Sequence, residues 1–196
     1  MGRLTGLATS APLVHDAAPM AKPLEYNATL VEREDLTSAL GVFRIRWELH
    51  TEFVSWTFMV PTPVEAFGER DPTSAIDVVP REWMAALPGQ CLCSLNLWVL
   101  PTQQFGSGSL VRHVLHEDTL VASTVADGHG ELYTDFAIHA DGFSRMVLLA
   151  GGMTPRRLGR LVQRLLEIET YRIASAAGPA CRTRGRHGAG ICRARA

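Results

Sequence analysis

Lysine is almost missing from this sequence: Lys22 stands alone beside 18 arginines. A surface that grips a nucleic-acid backbone mixes both cations and spreads them over a fold. The imbalance reads instead as GC-rich coding, and nucleic acid is not an expected partner. No stretch reaches 18 uninterrupted apolar residues, which removes the transmembrane helix from the candidate elements. Cysteine is sparse, with four residues and no C-x-x-C pair, so no zinc or disulfide framework is encoded. Cys91 and Cys93 stand one residue apart in an apolar run, where strand geometry keeps them from bridging each other. They read as thiols tolerated in a reducing compartment. The glycine-rich loops that cradle phosphate are also missing, and Gly106-Ser107-Gly108 is only a flexible corner.

What is present is ordinary in bulk, with 46% apolar and 20% charged residues, as in soluble globular proteins. The net charge of −1 hides an asymmetry. Met1 to Thr154 holds 18 acids and 9 bases, a net of −9. Pro155 to Ala196 holds 2 acids and 10 arginines, a net of +8. The last stretch, CRTRGRHGAGICRARA, has five arginines, no acid and no hydrophobic period, which is the composition of a disordered tail. The opening residues are diluted by Thr5, Thr9, Ser10 and Asp16, so they read as an unstructured leader and not a signal peptide. The expected organisation is a leader over 1–29, one α+β domain over 30–177, and an Arg/Gly-rich tail over 178–196. The chain is expected to be soluble and cytoplasmic.

Patterning fills in the domain. In FRIRWELHTEFVSWTF and the Met59-Val60 that follow, Phe43, Ile45, Trp47 and Leu49 share one face, and Val54, Trp56, Phe58 and Val60 share another. Two antiparallel strands turning at His50-Thr51-Glu52 account for both, with Pro61 and Pro63 ending the second. Pro61 to Val79 reads as a loop, and PREWMAAL as a short helix opened by Pro80. Gln90 to Leu100 is apolar on both faces, as a central strand requires. Ser107 to Leu115 reads as a short helix. Thr119–Ala126, Leu132–Ile138 and Phe143–Leu149 have meander spacing, with Asp127-Gly128-His129-Gly130 and Asp141-Gly142 as turns. Thr154 and Pro155 then open a helix whose stripe runs Leu158, Leu161, Val162, Leu165, Ile168 and Arg172, with Glu169 outside it. The fold class is α+β, a mainly antiparallel sheet of about six strands with a long C-terminal amphipathic helix.

Three constellations have residue types that could carry chemistry. His50 beside Glu48 and Glu52 has the form of a general base next to a carboxylate, or of a charged turn in water. His113-x-x-His116 offers two imidazoles one helical turn apart, compatible with a metal but with no third ligand fixed by spacing. The run TDFAIHADGFSR gathers Asp135, His139, Asp141, Ser144 and Arg145 around one turn, without a nucleophile elbow for Ser144.

The stretches FRIRWELHTEFVSWTF and TDFAIHADGFSRMVLLAGGMTPRRLGRLVQRLLEIETYR closely resemble a group of bacterial membrane-anchored proteins, the domain of unknown function 3422 family. The likeness runs from about Asp35 to Ile173. It implies a larger protein, in which this α+β region is followed by long helices and a C-terminal apolar anchor. It carries no established activity, substrate or catalytic residue. The family's opening motifs are not recognisable before Leu30, and Gly178-Pro179 breaks the last helix, so a truncated or frameshifted chain is expected. The functional expectation is a non-catalytic module, serving assembly or interaction through Leu165, Ile168 and Ile173, with no cofactor. The alternative is a hydrolase-like or metal-dependent enzyme using His50/Glu52 and His139/Asp141.

Overall fold

A computed structural model describes residues 6–11, 15–16, 44–49, 53–62, 74–87, 91–102 and 109–176. Among these residues eight strands form one sheet: β1 (Gly6–Ala11), β2 (His15–Asp16), β3 (Arg44–Leu49), β4 (Phe53–Thr62), β5 (Leu95–Pro101), β6 (Val121–Val125), β7 (Gly130–Thr134) and β8 (Ser144–Ala150). Their order is β2-β4-β1-β5-β8-β7-β6, with β3 also paired to β4. All pairs are antiparallel except β5 with β8. The α+β class holds, with more strands than the six expected.

The extra strands come from the segment read as a leader. Gly6–Ala11 is a strand between β4 and β5, Ala8 facing both Val60 and Trp98. Its threonine, serine and small apolar residues have no clean period, and only the tertiary pairing decides their conformation. The hairpin of β3 and β4 is as expected, with Trp47 opposite Trp56 and Leu49 opposite Val54. Pro61 does not end β4 but pairs with Leu7. It lies beyond Met59, the last residue that β3 reaches, where its missing N–H deletes no bond to β3. The loop expected from Pro61 to Val79 contains a 3-10 turn, Ala75–Val78, whose capping box closes between Ser74 and Asp77.

β5 is buried along nearly its whole length because both faces of the sheet are covered there, as a parallel pair requires. On one face, Val54, Trp56, Phe58, Trp98, Leu100, Val147 and Leu149 form the larger core. Trp83 of helix α1 (Arg81–Ala85) meets the rings of Trp56 and Phe58 edge-on, at centroid distances of 6.3 and 5.8 Å. Helix α2 (Ser109–Val114) adds Val111 and Val114, and Leu115 follows it. Burying each tryptophan removes roughly 150–250 Å² from water, so this face carries much of the stability.

Helix α3 (Pro155–Ala176) covers the other face. The Thr154 hydroxyl accepts from the Arg157 N–H at its start. Leu158, Leu161, Val162 and Leu165 pack on Leu95, Leu97, Val99, Met146 and Leu148. Beyond Leu165 the expected stripe fails: Ile168 is exposed and Glu169 is buried. The period of 3.6 carries the inward line from Leu165 to Glu169, four residues on, not to Ile168, three on. The buried carboxylate is tolerated because Arg172 grips both of its oxygens at 2.7 Å and Ser144 donates to one. No helix among the described residues is long and apolar enough to cross a membrane.

Candidate functional site

The site is built where β7 ends. Asp135 follows Thr134, and its carboxylate is fully buried. Phe136 then takes a left-handed conformation, φ 52°, which is costly for a bulky residue. Two bonds hold it there: Phe136 N–H donates to Thr134 Oγ1 at 3.2 Å, and Ala137 N–H to Asp135 Oδ1 at 3.1 Å. The chain doubles back, and His139 Nε2 arrives 2.8 Å from Asp135 Oδ2. A turn fixes His139 from behind, its N–H donating to the Phe143 carbonyl and its carbonyl accepting from Gly142 N–H. Gly142, at φ 85°, supplies the conformation that this turn needs.

The third member comes from the far side of the meander. α2 is anchored through Val111 and Val114, and His116 emerges just past its end. The His116 N–H donates to Asp135 Oδ2 at 2.9 Å. Its ring lies on that of His139, with centroids 4.4 Å apart and planes 13° from parallel. One ligand atom each from His116, Asp135 and His139 therefore lies within 4.8 Å of the others. His116 is exposed, whereas His139 keeps only 8% of its side chain in contact with solvent. The group thus sits on a fixed floor with one face open.

Electrostatics suit a ligand role for Asp135. Burial alone pushes its carboxyl up, but the two backbone N–H donors and His139 outweigh that and hold it below the usual carboxylate range. It is an anion at neutral pH, buried, and surrounded by donors. Two imidazoles and one carboxylate are the donor set of catalytic zinc and non-haem iron sites, which leave coordination positions open for water or substrate. The same set without an ion is an Asp–His acid/base pair.

Several expected pairings are corrected by this geometry. His116 does not pair with His113, which is exposed on α2 and outside the cluster; α2 ends at Val114, before a helical repeat could align them. His139 partners Asp135 and not Asp141. Asp141 instead accepts from Phe143 N–H and pairs with Arg145. Ser144 is buried, its single hydroxyl proton shared between the Ser94 carbonyl and Glu169, with no histidine among the described residues at its hydroxyl. His50 and Glu52 lie outside the described residues. Leu165 is buried against the sheet and cannot serve a partner; the Ile173 side chain lies outside the described residues. The expectation that enzymatic activity is less likely than its absence is contradicted by the His116/Asp135/His139 cluster, three ligand-type side chains positioned together to bind a metal ion or ligand. Asp135 and His139 already stood together in TDFAIH; His116 could be added only through the fold.

No curated protein and no solved structure matches the chain. A family model does match, over residues 17–187, further in both directions than the likeness read from its motifs. The chain belongs to the family described as protein of unknown function (DUF3422).

Proposed function

We propose that the chain is a metal-dependent, hydrolase-like enzyme whose centre is His116, Asp135 and His139. The observation that carries this reading is the convergence of three ligand atoms within 4.8 Å from three short segments, the end of α2, the end of β7 and the turn before β8. A divalent ion of the zinc class would supply a bound water acidic enough to act as nucleophile near neutral pH. Asp135 supplies the fixed negative charge, His139 the ordered imidazole, and His116 the exposed ligand nearest to solvent. The test is metal content of the purified protein, followed by hydrolysis of a panel of simple esters and phosphoesters. One ion per chain, lost with activity in Asp135→Asn, supports the reading. Metal-free protein that takes up no zinc or cobalt on titration rejects it.

A second reading concerns association. Ile168, Tyr171 and Phe136 are exposed by 64, 58 and 51%. The Arg172 guanidinium, 5.5 Å from the centre of the Phe136 ring, links that ring to the helix. Exposed apolar residues of this kind mediate contact with another chain, and α3 offers Ile168 and Tyr171 on its outer side.

A further inference from the structure

We propose that Arg145 is the positioning residue that holds the three ligand-bearing segments of the site in register. The proposal rests on reading His116, Asp135 and His139 as a metal centre. Arg145 lies on β8, and its guanidinium reaches two of the segments. One terminal nitrogen, Nη1, donates at 3.1 Å to the carbonyl of Val114, two residues before His116. The other, Nη2, donates at 2.9 Å to Asp141 Oδ2, two residues after His139. The third segment is tied through the backbone of the same residue, since the Thr134 hydroxyl donates to the Arg145 carbonyl at 3.0 Å. That hydroxyl also accepts from Phe136 N–H, one of the two bonds that fold the chain back around Asp135.

The chemistry of this tie favours arginine. Its planar fork can point two donors in fixed, diverging directions, whereas lysine offers one flexible ammonium. The side chain is 21% exposed, and its Nε is buried with no hydrogen-bond partner among the described residues. An unsatisfied buried donor costs stability. The side chain is therefore placed for what its two ends hold, and not for the best satisfaction of its own donors. Groups that orient metal ligands without touching the ion commonly change affinity 10–100-fold when removed.

Cobalt(II) is the probe, with affinity from titration and geometry from the visible absorption of the bound ion. Two variants separate positioning from folding. Arg145→Lys keeps the charge and removes the fork. Asp141→Asn keeps the acceptor for Phe143 N–H but places an amide NH2 group where Oδ2 accepted from Arg145 Nη2, on a side chain 41% exposed. Both variants should bind cobalt about 10–100-fold more weakly than wild type, with a changed spectrum. The double variant should be no worse than Arg145→Lys, because both act on one tie. If Arg145→Lys does not fold, Asp141→Asn alone decides. Wild-type binding with equal affinity and an identical spectrum in the folded variants overturns the role of Arg145 and leaves the metal centre standing. A wild type that binds no cobalt overturns both.

Discussion

His116 and His139 lie ring on ring, 4.4 Å between centroids, although only His139 is enclosed by the fold. Their substitutions should therefore separate function from stability. His116→Ala removes an exposed ring and should change stability by no more than about 0.5 kcal/mol, while abolishing stoichiometric metal binding. His139→Ala also leaves the buried Asp135 carboxylate short of a partner, and should cost on the order of 1–3 kcal/mol. Thermal melts beside metal analysis check both. Equal destabilisation by the two variants would contradict the assignment.

Acid should weaken the fold through Asp135. Its folded-state carboxyl is held below the ordinary value of 3.8, so the unfolded chain takes up a proton first as pH falls. The contribution is complete above the unfolded value, and is lost as pH drops from there through the lower folded value. Asp135→Asn should flatten this part of the stability curve. Urea unfolding at neutral pH and through the acid range, for wild type and variant, gives the comparison. A curve with the same acid slope in both would exclude Asp135 as its source.

The strong periods were legible in the sequence, and the site was legible by halves. Trp56, Phe58 and Val60 alternate as a strand must, and they face the core in β4. Leu158 to Leu165 follows the helical period and packs where that period points. β1 gave no such signal, because Gly6–Ala11 becomes a strand only between β4 and β5. The same distinction governs the site. Asp135 and His139 are local, joined by a turn that depends on the left-handed Phe136, a conformation that no phenylalanine advertises. His116 is brought in by α2 packing on the sheet, so its true partners lay across the meander while its sequence neighbour His113 was the visible one.

Cys93 should be inert in the folded chain. Burial first, and the nearby Glu169 carboxylate next, push its thiol up to about 12. At pH 8 its thiolate fraction is then on the order of 10⁻⁴, and the thiolate is the reactive form. Burial raises the Cys91 thiol as well, but Cys91 is exposed, so iodoacetamide labelling followed by peptide mapping should modify it slowly and spare Cys93 until denaturant is added. The sign at high pH follows as well. The unfolded thiol ionises near 9.0 and the folded one only near 12, so stability falls as pH rises across that interval. Rapid native labelling of Cys93 would show that the segment leading into β5 opens.

Neighbouring positions on α3 give opposite expectations for association. Leu165 is packed against Leu95, Leu97 and Leu148, whereas Ile168 is 64% exposed on the outer side of the same helix. Leu165→Glu buries an unpaired charge and should unfold the domain, since such a group costs several kcal/mol, of the order of 3–5. Ile168→Glu adds a charge already in water and should leave the melting transition within about 0.5 kcal/mol of wild type. If the exposed face of α3 mediates contact between chains, Ile168→Glu should shift sedimentation toward the monomer, and adding Tyr171→Glu should complete the shift. Both effects should be independent of cobalt, because neither Ile168 nor Tyr171 belongs to the His116/Asp135/His139 cluster. Sedimentation unchanged by the double substitution would place any self-association on another surface.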